Sequence, residues 1–298
     1  MNFNFTKYST IYYILFLILT IGSIVCLAVF GLKFGIEFTG GSNMQLLFLE
    51  QRPANDQIAK QLEEFKLGDI VLQPTGEKGL IVKFRGVNEQ EHQNILSKIN
   101  ELSKVEEKGF QFIGPSVGQE LKNKTQISIL VALLAITIYI AFAFRKVTRP
   151  VSSWKYGITS LIALFHDILI PLGVFAVLGK IYNIEITIPI IAALLTVLGF
   201  SVHDTIVIFD RIRENILRRG MGQFEETVNF SLNQTIGRSL STVFSTLLPL
   251  IALFFFGGET LKYFSLALII GITSGAYSSI FIASPLLVSW KKWDEKRV

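Results

Sequence analysis

The chain has one cysteine, Cys26, and three histidines among 298 residues, and only 17% of its residues are charged. A single cysteine excludes an intramolecular disulfide. Its setting after Ser23, Ile24 and Val25 is a poor lipidation site, so Cys26 reads as a packed apolar residue. The shortage of charge has the widest consequence. Half of the residues are hydrophobic and the mean hydropathy is +0.49, which is too apolar for an ordinary soluble domain.

A bilayer core takes roughly 20 apolar residues per helical crossing. Six runs fit that window, at about 11–31, 125–144, 156–178, 186–209, 239–256 and 262–289. The first follows Lys7 but is longer than a signal-peptide core and has no A-x-A-like site after it, so it reads as a retained anchor. Short loops give the orientation, because Lys and Arg concentrate on the cytoplasmic side. Arg145, Lys146, Arg149 and Lys155 follow the second run, Arg211, Arg213, Arg218 and Arg219 the fourth, and Lys291, Lys292, Lys296 and Arg297 the sixth. The opposite loops hold only Lys180, Glu185, Glu259 and Lys262. Both termini are therefore placed in the cytoplasm. The net charge of +5 reflects this asymmetry and does not indicate a nucleic-acid partner.

Residues 32–124 are left outside, and there the pattern changes. Strand signals at 44–49, 70–73, 79–84 and 109–112 alternate with helix signals at 54–65 and 89–102. The order βαββαβ is that of the split-βαβ, ferredoxin-like motif. The fold expected is a polytopic α-helical membrane protein with six transmembrane helices and a βαββαβ ferredoxin-like external domain between the first and second. Its parts are 1–31 (cytoplasmic N-terminus and first helix), 32–124 (external α+β domain), 125–289 (five-helix bundle) and 290–298 (cytoplasmic tail). The external domain shows no catalytic or metal-ligating cluster. His92 stands alone on a charged helix and reads as a solvated surface side chain.

Chemistry is then sought among ionisable groups inside the bilayer, where a charge costs at least about 2.5–3.5 kcal/mol and is seldom kept without purpose. Asp167, in "LIALFHDILIPLG", lies near the middle of the third run beside His166, and Asp204 lies in the inner half of the fourth. At 100° per residue, Ser160 and Ala163 share the Asp167 face, and Phe200, Ser201, Ile208 and Arg211 share the Asp204 face. In the fifth run Arg238 is followed by Ser241, Thr242, Ser245 and Pro249, a polar stripe expected to turn inward and to bring a cation toward Asp204. A cation favours the charged carboxylate and apolar burial the protonated one, which is the competition a proton switch needs. A static ion pair, or an Arg238 that snorkels to the headgroups, fits the spacing equally well. Gly271, Gly275 and Ser279, with Ser274 and Ser278 alongside, form the small-xxx-small pattern of a close helix contact.

Three stretches carry a resemblance: "FGIEFTGGS" (34–42) outside the first helix, "HD" in the third, and "VHDTIVIFDRIREN" (202–215) across the end of the fourth. In this order and topology the chain resembles the SecF family, subunits of the bacterial SecDF protein-export complex within the resistance-nodulation-division superfamily. The resemblance covers nearly the whole length. It implies a proton-coupled transport accessory subunit of the bacterial cytoplasmic membrane, not an enzyme, without cofactor or metal. The implied partners are a SecD-like subunit, the SecY channel complex and an exported polypeptide, with protons as the energy source.

The family's intramembrane acid matches Asp204 and its arginine matches Arg238; Asp167 ranks below Asp204 as a proton-relay candidate and reads equally as a structural group. Two positions depart from the family pattern: His203 where Asn is usual, and Glu37 where Asp is usual. An imidazole titrates near pH 6.5, so His203 is a speculative relay member, although adjacent helix positions diverge by 100° and point it away from the Asp204 face. Asp210, Arg211, Arg213 and Glu214 read as a solvated helix end, with Arg211 the one able to reach toward Asp204. Gly40 and Gly41 suit either a hinge or a rigid turn beside the external domain. The expected function is use of the proton motive force to promote polypeptide export by coupling proton transfer to external-domain movement. The alternatives are half of a proton-driven small-molecule exporter, or a structural assembly subunit.

Overall fold

The computed structural model describes residues 3–145, 151–219 and 224–296. Lys146, Arg149 and Arg297, three of the basic residues used for orientation, lie outside them. The chain divides into two compact units, one of residues up to Lys33 and from Ile127 onward, the other Phe34–Gln126.

The second unit begins with a single helical turn, α2 (Ile36–Thr39), after the first-unit helix α1 (Ser9–Phe30). It continues as β1 (Gly41–Phe48), α3 (Asn55–Leu62), β2 (Val71–Thr75), β3 (Gly79–Phe84), α4 (Glu89–Leu102) and β4 (Val105–Ile113). The sheet order is β2-β3-β1-β4 with every neighbouring pair antiparallel, the split-βαβ arrangement. Alternation sends Met44, Leu46 and Phe48 of β1 and Leu80, Val82 and Phe84 of β3 to one face. There they meet Ile58 and Leu62 of α3 and Ile95 and Ile99 of α4. β4 begins four residues earlier than its alternation suggests. Its register against β1 slips between Gln45 and Leu46, so that Lys108 is an extra residue and the strand before Gly109 runs out of phase with the strand after it.

His92 is a correction. It is buried, not solvated, because positions 92, 95 and 99 lie on the same helical stripe as the core. Its ring stacks on Phe110 at 3.8 Å between centroids, Nε2 lies 2.8 Å from a Glu107 carboxylate oxygen, and Nδ1 lies 3.3 Å from Glu89. At the surface of the same helix, Arg85 bonds Glu91 at 2.9 Å and holds its carboxyl below the usual carboxylate range.

Gly40 and Gly41 lie inside this unit, with φ of 76° and 143°. A Cβ on Gly40 would stand 2.9 Å from Pro115 Cα, and one on Gly41 would stand 2.8 Å from the Phe84 carbonyl oxygen. Only glycine combines these angles with so close an approach of backbone to backbone.

The first unit holds the long apolar helices. With α1, these are α5 (Pro115–Ala143, whose first residues belong to the second unit), α6 (Ser153–Tyr182), α7 (Ile188–Arg219), α8 (Phe224–Phe256) and α9 (Glu259–Ser278). A π-helical turn, Ser279–Ala283, carries α9 on into α10 (Ser284–Glu295) within a single apolar span. Among the described residues, six helices are thus long and apolar enough to cross a membrane. α6, α7 and α9 form the interior, whereas α1 buries none of its residues.

Several helices run on past their apolar windows. At its far end α7 is laced by Arg213–Asp210, Arg211–Glu214 and Arg218–Glu214 pairs at three- and four-residue spacing. This end also carries Phe3, Thr6 and Asp294, toward the two ends of the described chain. Asn229 and Asn233 of α8 bond the backbone at Thr6 and Phe3, and buried Lys155 pairs with Asp294 while lying over the Trp154 and Trp290 rings.

Candidate functional site

The interior of the bundle is built on small residues. A Cβ on Gly271 would fall 2.3 Å from Val197 Cγ2, and one on Gly275 would fall 2.9 Å from Ser201 Cβ. The glycine stripe of α9 therefore lies directly against α7, as small-xxx-small spacing implies. One turn further on, the Ser279 and Thr205 hydroxyls are 2.7 Å apart.

This close contact encloses Asp167, which is fully buried. Its Oδ2 accepts from Ser201 Oγ at 2.6 Å and Ser278 Oγ at 2.7 Å, and its Oδ1 accepts from Ser274 Oγ at 3.0 Å. His166 Nδ1 lies 3.2 Å from Oδ1 and 3.4 Å from Ser274 Oγ, and its Nε2 is a buried atom without a hydrogen-bond partner. The ring is held by stacking on Phe16 at 4.6 Å. Donors from α6, α7 and α9 thus converge on one carboxylate. The predicted neighbours Ser160 and Ala163 are buried but take no part, and Ser160 bonds the Tyr156 carbonyl of its own helix.

Asp204 stands one turn beyond Ser201 on α7 and is 7% exposed. Its Oδ1 accepts from Ser239 Oγ of α8 at 2.6 Å, and its Oδ2 is buried with no hydrogen-bond partner. Arg238 does not join it. The face of α8 that packs inward carries Ser239, Val243 and Leu250, so the stripe of Arg238, Ser241, Thr242, Ser245 and Pro249 is exposed in this chain taken alone, not turned inward as its spacing suggested. Thr242 bonds the Arg238 carbonyl and Ser245 the Thr242 carbonyl, so these hydroxyls are satisfied by their own helix. Arg238 instead lines a groove with Val207, Asp210, Arg211, Glu214, Gln234 and Thr235. Arg211 is engaged there by Glu214 at 2.5 Å and Gln234 at 2.7 Å and does not reach Asp204.

His203 is exposed, a hundred-degree step from the Asp204 face. The structure therefore brings together Asp167 with His166 and three serines, and Asp204 with Ser239. It leaves Arg238 and His203 on the outside and Gly40 and Gly41 in the other unit. Among the described residues no group of three or more His, Cys, Asp or Glu side chains forms a metal site. Sequence reading missed the serine donors. Ser274 and Ser278, four apart on α9, had been read only as small residues, although that spacing also presents two hydroxyls to one point on a facing helix.

The SecD/SecF GG motif matches residues 27–48, and the C-terminal family model of protein export membrane protein SecD/SecF matches 92–293. The SecF protein translocase subunit of Thermobaculum terrenum is 43% identical over 303 residues, covering 96% of this chain and 93% of its own. That of Rickettsia akari is 34% identical, covering 99% and 94%. Among solved structures, SecDF of Thermus thermophilus, described as a translocon-associated membrane protein, superposes with a TM-score of 0.86 at 33% identity over 98% of this chain. A SecDF structure in a super-membrane-facing form gives 0.73 at 32% identity. The chain spans about two fifths of the length of those SecDF chains, 39% and 40% respectively. The likeness runs through both the βαββαβ unit and the six helices, and the chain belongs to the SecF family of protein translocase subunits.

Proposed function

We propose that this SecF-family subunit draws on the proton motive force to promote polypeptide export through the SecY channel, with Asp204 as the group that takes up and releases the proton. The observation carrying this reading is the lone Oδ2 of Asp204, buried among apolar helices and unpartnered beside a single serine bond. A proton on that oxygen relieves an orphaned acceptor, and a cation brought to it does the same for the charged form. Arg238, one residue from Ser239 on α8, is the candidate cation. In this reading a SecD-type partner covers the exposed stripe of α8 and brings Arg238 and Asp204 into alternation. His203 faces outward and takes no part.

One proton falling through 100 mV releases about 2.3 kcal/mol, enough to bias a two-state element about fiftyfold. The excess of Lys and Arg near the ends of α7 and α10 supports the reading in which both termini are cytoplasmic and the βαββαβ unit is outside, where it would meet the client. Its glycine pair acts as a rigid turn and not a hinge, so that the unit moves as one body. The test is export into inverted membrane vesicles with and without a proton gradient. Asp204→Asn is expected to keep basal export and lose the gradient-stimulated part, and full retention of stimulated export refutes the assignment.

A further inference from the structure

Asp167 and Asp204 are both buried carboxylates, yet they are furnished oppositely. Around Asp167 three hydroxyls and His166 Nδ1 face a carboxylate with two oxygens, and the other contacts of these hydroxyls, Ser278 with the Gly275 carbonyl at 3.1 Å and Ser274 with His166 Nδ1 at 3.4 Å, are longer than their contacts with the carboxylate. An ionised carboxylate accepts from all three hydroxyls, whereas a carboxylic acid must surrender one site to its own hydrogen. The other groups facing the cage are the Phe16 ring of α1 and Tyr277 of α9, whose ring lies 6.2 Å from that of His166 and whose hydroxyl is spent on the Tyr12 carbonyl. Among the described residues no lysine or arginine enters it, and the only donor to Asp204 is Ser239.

We infer that Asp167 is a fixed anion and a positioning residue: through Ser201, Ser274 and Ser278 it locks α6, α7 and α9 in the register that presents Asp204 to Ser239, with His166 closing the cage. The path is short. Ser201 precedes Asp204 by three residues on α7. Ser278 is followed by Ser279, whose hydroxyl meets Thr205 next to Asp204. A one-residue slip of α9 against α7 would remove Ser278 from Asp167 and Ser279 from Thr205 together. Asp167 thus sets the geometry of the exchange without carrying the proton, and this inference rests on the role given above to Asp204.

The experiment is pH-difference infrared spectroscopy, together with gradient-driven export, on the chain in lipid with its SecD-type partner. On acidification the wild type gains a carboxylic-acid C=O signal. Asp204→Asn is expected to lose that signal, whereas Asp167→Asn keeps it at an altered frequency while export falls about tenfold, the effect of one or two lost charge-assisted hydrogen bonds. Ser201→Ala and Ser278→Ala keep both carboxylates and are expected to lower export severalfold with the same change of frequency. They also serve if Asp167→Asn does not assemble.

A C=O component that Asp167→Asn removes, or an unmoved frequency in both serine variants, overturns the lock. A signal that survives intact in Asp204→Asn refutes the exchange role of Asp204 instead, and the two failures are read from different variants.

Discussion

His92 and Asp204 are both ionisable groups withdrawn from water, and the two units of the chain treat them differently. In the βαββαβ unit the buried imidazole is met by acidic side chains, with Glu107 at 2.8 Å and Glu89 at 3.3 Å. In the helical unit the buried carboxylates are met by serine hydroxyls and one histidine, and among the described residues no lysine or arginine bonds them. A domain folding beside water can set acidic side chains against a buried ring, because the outer one keeps solvent contact, as Glu89 does. Within a bilayer a second charge adds its own desolvation cost, whereas a hydroxyl adds a donor without charge.

The sharpest way to break this contrast is Asp204→Asn, for which gradient-stimulated export is expected to fall about tenfold or more, given the ~2.3 kcal/mol that one proton carries across 100 mV. Inverted vesicles provide the measurement. Next in size is Gly271→Leu, which drives a side chain into Val197. It is expected to destabilise the helical unit by about 3 kcal/mol through overpacking, read as a lowered melting temperature in detergent. In the other unit His92→Ala removes the ring stack and the Glu107 bond, for about 2 kcal/mol in denaturant titration followed by circular dichroism. If His92→Ala is neutral, that half of the comparison fails.

Gly40→Ala is expected to lose about 1–2 kcal/mol, because its φ of 76° and the Pro115 backbone both resist a Cβ. Gly22→Ala, in the open on α1, serves as the neutral control in the same melting assay. The smallest effect is that of the exposed Arg85–Glu91 pair. Arg85 lowers the Glu91 carboxyl below its ordinary range, so the pair contributes stability at neutral pH. That contribution fades as pH falls through the lowered value, and Glu91→Gln is expected to melt like the wild type only in acid.

The six spans and the order of the βαββαβ elements were legible because each rests on a continuous pattern, an apolar run or an alternation, that a single residue cannot hide. Where the pattern is broken locally, reading failed. The bulge at Lys108 masks the first half of β4, and the charges beside His92 mask the 92–95–99 stripe that buries it. Asp167 and Asp204 were visible as charges out of place, but their furnishing was not. Periodicity shows that Arg238, Ser241, Thr242, Ser245 and Pro249 stand together on α8. It does not show whether that face looks into its own bundle or away from it, since in a membrane both directions are apolar. The serine donors come from helices more than thirty residues away in sequence, and their small size had an adequate packing explanation already.

The π turn at Ser279–Ala283 holds one residue more than an α turn would, and the Ser284 hydroxyl bonds the Ser279 carbonyl at 3.1 Å across it. Because the surplus is absorbed within the turn, the helices on either side keep their phase. A chain shortened by one residue here would still set Ser278 against Asp167 and Asp294 against Lys155. This makes the middle of the last span a tolerant position for a length change, in a bundle where an insertion or deletion elsewhere would rotate every later contact by 100°.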